Sequence, residues 1–219
     1  MTTSLPAQLV AWWRTLHQYL ASGLRRRREP VDDPARLRRF LDTRASYIAQ
    51  TSLYGYLRTR AGMRYPELFD DDIFVESINI AKWHMWLACL SDLSLYAGGL
   101  LLSRRPGREE EVKALLRTLL AEILAVTAIP QEAGAEFEAH ASEVLARLEA
   151  CALAQVSDDE ACFTESPAAL VHWAPIIDEL KELDAEIVRN SVRFHWQEVR
   201  RELRRELDAA AVLGTQGSV

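Results

Sequence analysis

LFDDDIFVESINIAKWHMWLACLSDLSLYAGGLLLS, residues 68–103, is the stretch that decides the fold. Asp70, Asp71 and Asp72 supply an N-cap and an acidic first turn, where the positive end of a helix dipole favours carboxylates. Roughly thirty helix-compatible residues follow before Arg104-Arg105-Pro106-Gly107 stops the run. Wound at about 100° per residue, the stretch shows two surfaces. Ser77, His84, Ser91 and Gly98 recur every seven residues, flanked by Ala81, Ala88, Leu95 and Leu102. This seam of mostly small side chains admits a second backbone, and 34–61, with its small Ala45, Ser52 and Gly55, is the expected neighbour. Ile78, Trp83, Met85, Trp86, Leu90, Leu93, Tyr96 and Leu100 cover the other side. A helix apolar on most sides belongs in the middle of a bundle.

Composition agrees. Of 219 residues, 49% are hydrophobic and 26% charged, which fits a folded domain and excludes a disordered chain. Only 9 Gly and 8 Pro interrupt long Ala/Leu/Glu/Arg runs, so helix is favoured over sheet. The expected fold is all-α, a single bundle of about six helices around a buried central helix. Residues 1–30 read as an amphipathic helix with a basic end, 31–211 as the bundle and 212–219 as a disordered tail. His84–Leu102 is the best membrane-span candidate. Asp92 near its centre, with Glu76, Lys82 and His84 at or before its edge, favours a buried core helix instead.

Charge is unevenly placed. Residues 1–64 carry 12 Arg/Lys against 4 Asp/Glu, whereas 65–219 carry 14 against 28. In 5–24, Leu5, Leu9, Trp12, Trp13, Leu16, Tyr19, Leu20 and Leu24 share one arc, and Arg25, Arg26, Arg27 and Arg28 follow. Tryptophans on an apolar arc with a basic cluster at one end suit an anionic membrane surface or docking on a protein. Nucleic acid is not expected, because the Arg run is short, lacks a reading motif and is attached to an acidic body.

Further along, Asp33-Pro34 reads as N-cap and first residue of a helix that runs to about Arg60 and stops at Gly62. Arg44 lies in the apolar stripe of that helix and needs an acid; Glu76 or Asp92 is expected to supply it, giving a buried polar network of Arg44, Glu76, His84 and Asp92. Helices are expected over 108–128 and 133–155, then a polar loop at 157–166, and a helix from Ser166-Pro167 broken by Pro175. The last helix spans 176–210. Its inner positions begin as Ile176, Leu180, Leu183, Ile187 and Phe194 and drift to Val188, Val192, His195, Val199, Leu203 and Leu207. Its charge-laced end suggests projection from the bundle and self-association through 188–207.

Catalytic motifs are scarce. The chain lacks G-x-S-x-G, S-x-x-K, H-E-x-x-H, the P-loop and a strand-linked G-x-G-x-x-G. His17, His84, His140, His172 and His195 show neither zinc nor di-iron spacing, so neither metal nor cofactor is expected. Cys89, Cys151 and Cys162 have no CxxC spacing and read as free thiols of a reducing compartment; no signal peptide is visible. His84, Ser91 and Asp92 are weak catalytic candidates, because His84 and Ser91 on one helix stand about 10 Å apart, too far for a nucleophile–base hydrogen bond. Asp70-Asp71-Asp72 with Asn190 and Glu198 suggests a terpene-synthase metal motif only in variant form, and helix capping accounts for the aspartates.

RASYIAQTSLYGYLRTRAG (44–62) and FVESINIAKWHMWLACLSDL (74–93) resemble an uncharacterised family of small helical proteobacterial proteins, some labelled esterase. The resemblance implies a small esterase-like hydrolase with serine chemistry as one alternative. The residues themselves favour a non-catalytic cytoplasmic adaptor or assembly factor. It would dock through Trp12, Trp13, Leu16, Tyr19, Leu20 and Arg25–Arg28 to a protein partner or, peripherally, to the inner membrane. A carrier of an apolar lipid or quinone, with a cavity beside Trp83, Trp86 and Tyr96, is the third expectation.

Overall fold

A computed structural model describes residues 29–214; the docking residues Trp12 to Arg28 and the tail residues 215–219 lie outside them. The chain divides into two compact units, 1–30 and 31–219, and the second is the helical body. It contains seven α-helices among the described residues: α1 (Pro34–Ala61), α2 (Asp72–Arg104), α3 (Glu109–Thr127), α4 (Phe137–Ala150), α5 (Glu165–Trp173), α6 (Asp178–Glu206) and the single turn α7 (Ala209–Val212). The fold is all-α around a buried central helix, as the sequence predicts.

Helix ends follow local chemistry. Asp33 Oδ1 accepts the Arg36 N–H at 2.7 Å, Pro34 occupies the first turn, and Gly62 takes φ +55° beyond the end of α1. A 3₁₀ helix, Gly62–Asp70, links α1 to α2. Asp71 then caps α2 by accepting from Ile73 N and Phe74 N at 2.9 and 3.3 Å, so one of the three aspartates is spent on the cap. The helix expected over 133–155 is shorter. Gly134 at φ +78° delays its start, and a separate 3₁₀ turn, Leu153–Gln155, follows its end. The last helix also stops early. Leu207 leaves it to pair with Val31, whose N–H donates to the Glu206 carbonyl at 2.8 Å and whose own carbonyl accepts from Asp208 N at 2.9 Å.

Residues 84–102 of α2 are all buried, so the apolar run that resembles a membrane span is the core of the bundle. α1 packs on α2, and Trp86 Nε1 donates to Asp42 Oδ1 at 3.3 Å across that contact. The small-residue seam, however, receives α4 rather than α1. His84 meets His140 and Ser91 meets Arg147, both at a sequence offset of 56, while at the far end of the seam a Cβ on Gly98 would lie 2.9 Å from methyls of Leu116 in α3 and of Leu153 in the turn after α4. The ascending pairs mean that α4 runs in the same direction as α2. A Cβ on Gly55 of α1, by contrast, would meet nothing within 4 Å among the described residues.

The two apolar stripes of α6 part company. Val188, Val192, Trp196, Val199 and Leu203 are buried, whereas Leu183, Ile187 and Phe194 are 74%, 73% and 67% exposed. One helix face can meet the core at a time. The stripe that holds Trp196 wins: its indole stacks on Phe163 at 4.6 Å and donates to Ser166 Oγ at 2.9 Å. The seam over 188–207 expected to be free for self-association is therefore committed to the bundle's own core.

Candidate functional site: a histidine cleft on the central helix

The four residues expected to form one network go to separate places. Arg44 forms a two-pronged ion pair with Glu202 of α6, its Nε donating at 2.6 Å to Oε2 and its Nη2 donating to Oε1. Glu202 comes from a turn of α6 that lies over α1, which the sequence places among solvated charges. Glu76 is exposed in the opening turns of α2. Asp92 is fully buried and pairs with Arg147 Nη1 at 2.8 Å. It also accepts from Glu165 N at 3.2 Å, Ser166 N at 2.8 Å and Ser166 Oγ at 2.7 Å, so it satisfies the free amides at the start of α5. Burial raises the Asp92 pKa, with the Arg147 charge and the Ser166 donors opposing. Ser91 Oγ accepts from the same guanidinium at 2.9 Å. Ser91, Asp92, Arg147 and Ser166 thus form a tie between three helices.

His84 belongs to a different cluster. Its ring stacks on Trp173 of α5 at 3.7 Å and 10°, and on His140 of α4 at 5.1 Å and 15°. The two Nδ1 atoms are 2.8 Å apart, so one imidazole donates and the other accepts. Burial, with His140 and His172 nearby and the Ala133 backbone opposing, pulls the His84 pKa down to about 4. Burial also lowers His140, despite the carboxylates of Glu143, Glu165 and Glu136. Both rings are therefore neutral at pH 7. Among the described residues, buried His84 Nε2 has no hydrogen-bond partner.

These rings line a cleft of about 450 Å³, with His172 and three exposed glutamates, Glu136, Glu143 and Glu165, around it. Among the described residues, neither a lysine nor an arginine lines it, and no serine, threonine or cysteine does. Its aromatic faces and carboxylates suit a small cation or a hydrogen-bonding molecule better than an anion. A neutral imidazole is competent as a base, yet a serine mechanism needs a hydroxyl within reach. The candidate Ser91 is 4% exposed and held by Arg147, so His84, Ser91 and Asp92 do not assemble as a triad. No group of three or more His, Cys, Asp or Glu is placed to hold a metal among the described residues.

The aromatic residues expected beside an apolar cavity diverge. Trp83 packs edge-on to Trp86 and Phe137, Trp86 turns to Asp42, and the Tyr96 hydroxyl donates to Asp158 Oδ1 at 2.6 Å. Cys89 is buried, and Cys151 and Cys162 are half-buried free thiols; burial and the nearby Asp92 push Cys162 up to about 12. The sequence alone does not place His140, Arg147 and Trp173 beside the central helix. One signal was present: His140 and Arg147 stand seven residues apart, the period of the seam they meet. No family model, curated protein or solved structure matches the chain.

Proposed function

We propose that the protein is a non-catalytic helical adaptor or assembly factor whose body docks to a protein partner through α6. One observation carries the reading: Leu183, Ile187 and Phe194, all at least two-thirds exposed, line one face of a helix whose opposite face is in the core. Of the eight large apolar residues exposed among the described residues, four lie between Ile177 and Phe194. Scattered exposed apolar residues are ordinary, whereas a contiguous stripe rimmed by charges is the anatomy of an interaction surface. The basic segment 1–28 supplies, on the sequence alone, a second docking element for a protein or an anionic membrane surface, which would place the protein on the cytoplasmic side of that membrane.

A photo-crosslinking aromatic residue at position 194, introduced into the full chain in cells, tests this. A defined adduct is expected, and Leu183→Glu should abolish it while the thermal melt stays unchanged. Equal adducts from position 194 and from exposed Val126 on α3 would overturn the reading.

A further inference from the structure

We infer that the occupant of the α6 stripe is a second copy of this chain, with the two α6 helices packed antiparallel about a two-fold axis near Asn190. This rests on the docking reading above and names its partner. The argument is the distribution of charge along α6. Residues 178–187 hold five acidic side chains against one lysine, and 188–206 hold six arginines against three glutamates. A helix so polarised repels a parallel copy and attracts an antiparallel one, and the two helix dipoles add to the same preference.

The placement around the helix makes the match specific. With about 100° per residue and Leu183 as origin, Asn190, Phe194 and Ile187 lie within about 40° of it. On the same turn count, Glu182 and Glu186 fall on one flank, and Arg189 and Arg193 fall on that same flank further along. A two-fold that reverses helix direction keeps each flank beside its own counterpart. With the axis near Asn190, Glu186 of one copy then faces Arg193 of the other, and Ile187 meets Phe194. A parallel two-fold exchanges the flanks and loses the match. Within the chain, Glu182, Glu186, Arg189 and Arg193 make no ion pair among the described residues; Arg193 has only a 3.2 Å bond to Asn190 Oδ1. The other charges of α6 with inward reach are already paired, Asp184 with Arg60, Glu202 with Arg44 and Arg200 with Asp158.

The contact is isologous and closes on itself, leaving no face for further growth. Three large apolar side chains per copy place it among the smaller interfaces, so a reversible dimer is expected. Each dimer carries two copies of segment 1–28, which raises avidity for any surface that segment binds.

Sedimentation velocity of the full chain across the micromolar range should show a monomer–dimer equilibrium that shifts to monomer in Leu183→Glu and in Glu186→Arg. The exchange Glu186→Arg with Arg193→Glu should restore the dimer. Under mild oxidation Asn190→Cys should crosslink to itself, whereas Ile187→Cys and Phe194→Cys should crosslink only when mixed. Self-crosslinking at 187 and 194 would overturn the antiparallel pairing. A monomer at every concentration would overturn the second copy as partner. In that case an adduct from position 194 to a different polypeptide leaves the docking reading standing, and the absence of any adduct removes both.

Discussion

Replacing Arg147 by methionine isolates the tie between α2, α4 and α5. Arg147 is the only cation paired with Asp92 among the described residues, and the Asp92 side chain is fully buried. Methionine keeps much of the apolar stem and removes the charge, so Asp92 is left in the core with only Ser166 and the Glu165 amide as donors. Removing one partner of a buried pair costs about 3–5 kcal/mol, because the remaining charge stays desolvated. Two features put this case at the low end. The Arg147 side chain is 24% exposed, and three other donors still reach the carboxylate.

A loss of about 3 kcal/mol corresponds, in a chain of this size, to a melting point lower by about 6–12 °C. Asp92→Asn should cost less, because the orphaned guanidinium can reach water and Thr164 Oγ1, which already accepts from its Nη2 at 3.0 Å. The double variant should recover part of the Arg147→Met loss, as coupled residues do. Urea and thermal denaturation of the three variants give the cycle. A cost below about 1 kcal/mol for Arg147→Met would refute the claim that Asp92 is a buried charge dependent on that cation.

Two further outcomes follow from separate parts of the core. The folded His84 pKa is depressed from 6.5 to about 4, so its contribution to stability is present above pH 6.5 and is lost as pH falls toward 4. In that window the unfolded chain takes up a proton that the folded one refuses. Stability measured by urea denaturation against pH should therefore flatten in His84→Gln by up to one proton, about 1.4 kcal/mol per pH unit; an unchanged slope would place the buried neutral imidazole elsewhere. The adjacent glycines should differ. A Cβ on Gly98 meets only methyl ends of Leu116 and Leu153, while one on Gly99 meets Val156 Cβ at 2.7 Å and the Val156 carbonyl at 2.8 Å. Gly99→Ala should cost about 1–3 kcal/mol in chemical denaturation, and Gly98→Ala should be close to neutral because the gain in helix propensity, about 1 kcal/mol, offsets the crowding. The opposite order would refute the close approach of the 153–156 turn.

What the sequence made legible is what local chemistry controls. Asp33-Pro34, Gly62 and Asp71 set helix ends through bonds to atoms within a few residues, and the largely apolar run of α2, with Asp92 near its centre, belongs in a protein core. The identity of distant partners was not legible. Arg44 needed an acid, and the sequence offered many; which one arrives depends on how α6 crosses α1. The same holds for the cleft, where His84, His140 and Trp173 come from three helices. On α6 the apolar spacing suggests one inner face that drifts from Leu183, Ile187 and Phe194 to Val188, Val192 and Val199; the first three are in fact exposed, and Trp196, whose ring and N–H both find partners inside, marks the face that is buried.

The small-residue seam shows how far periodicity alone goes. It foretold a close neighbour but named the wrong one, because small side chains on α1 and a seven-residue repeat on α4 satisfy the same pattern. Polar chemistry separates them. Apolar packing along a seam tolerates a shift of one heptad, whereas His84 against His140 and Ser91 and Asp92 against Arg147 do not. Sliding α4 by seven residues would set Arg147 against His84 and leave Asp92 without its cation. The polar pairs therefore fix the register of α4 on α2, and through Glu165 and Ser166 they fix the start of α5, which carries Trp173 to the cleft. The structural tie and the cleft are two consequences of one register, one turn-pair apart on the same helix.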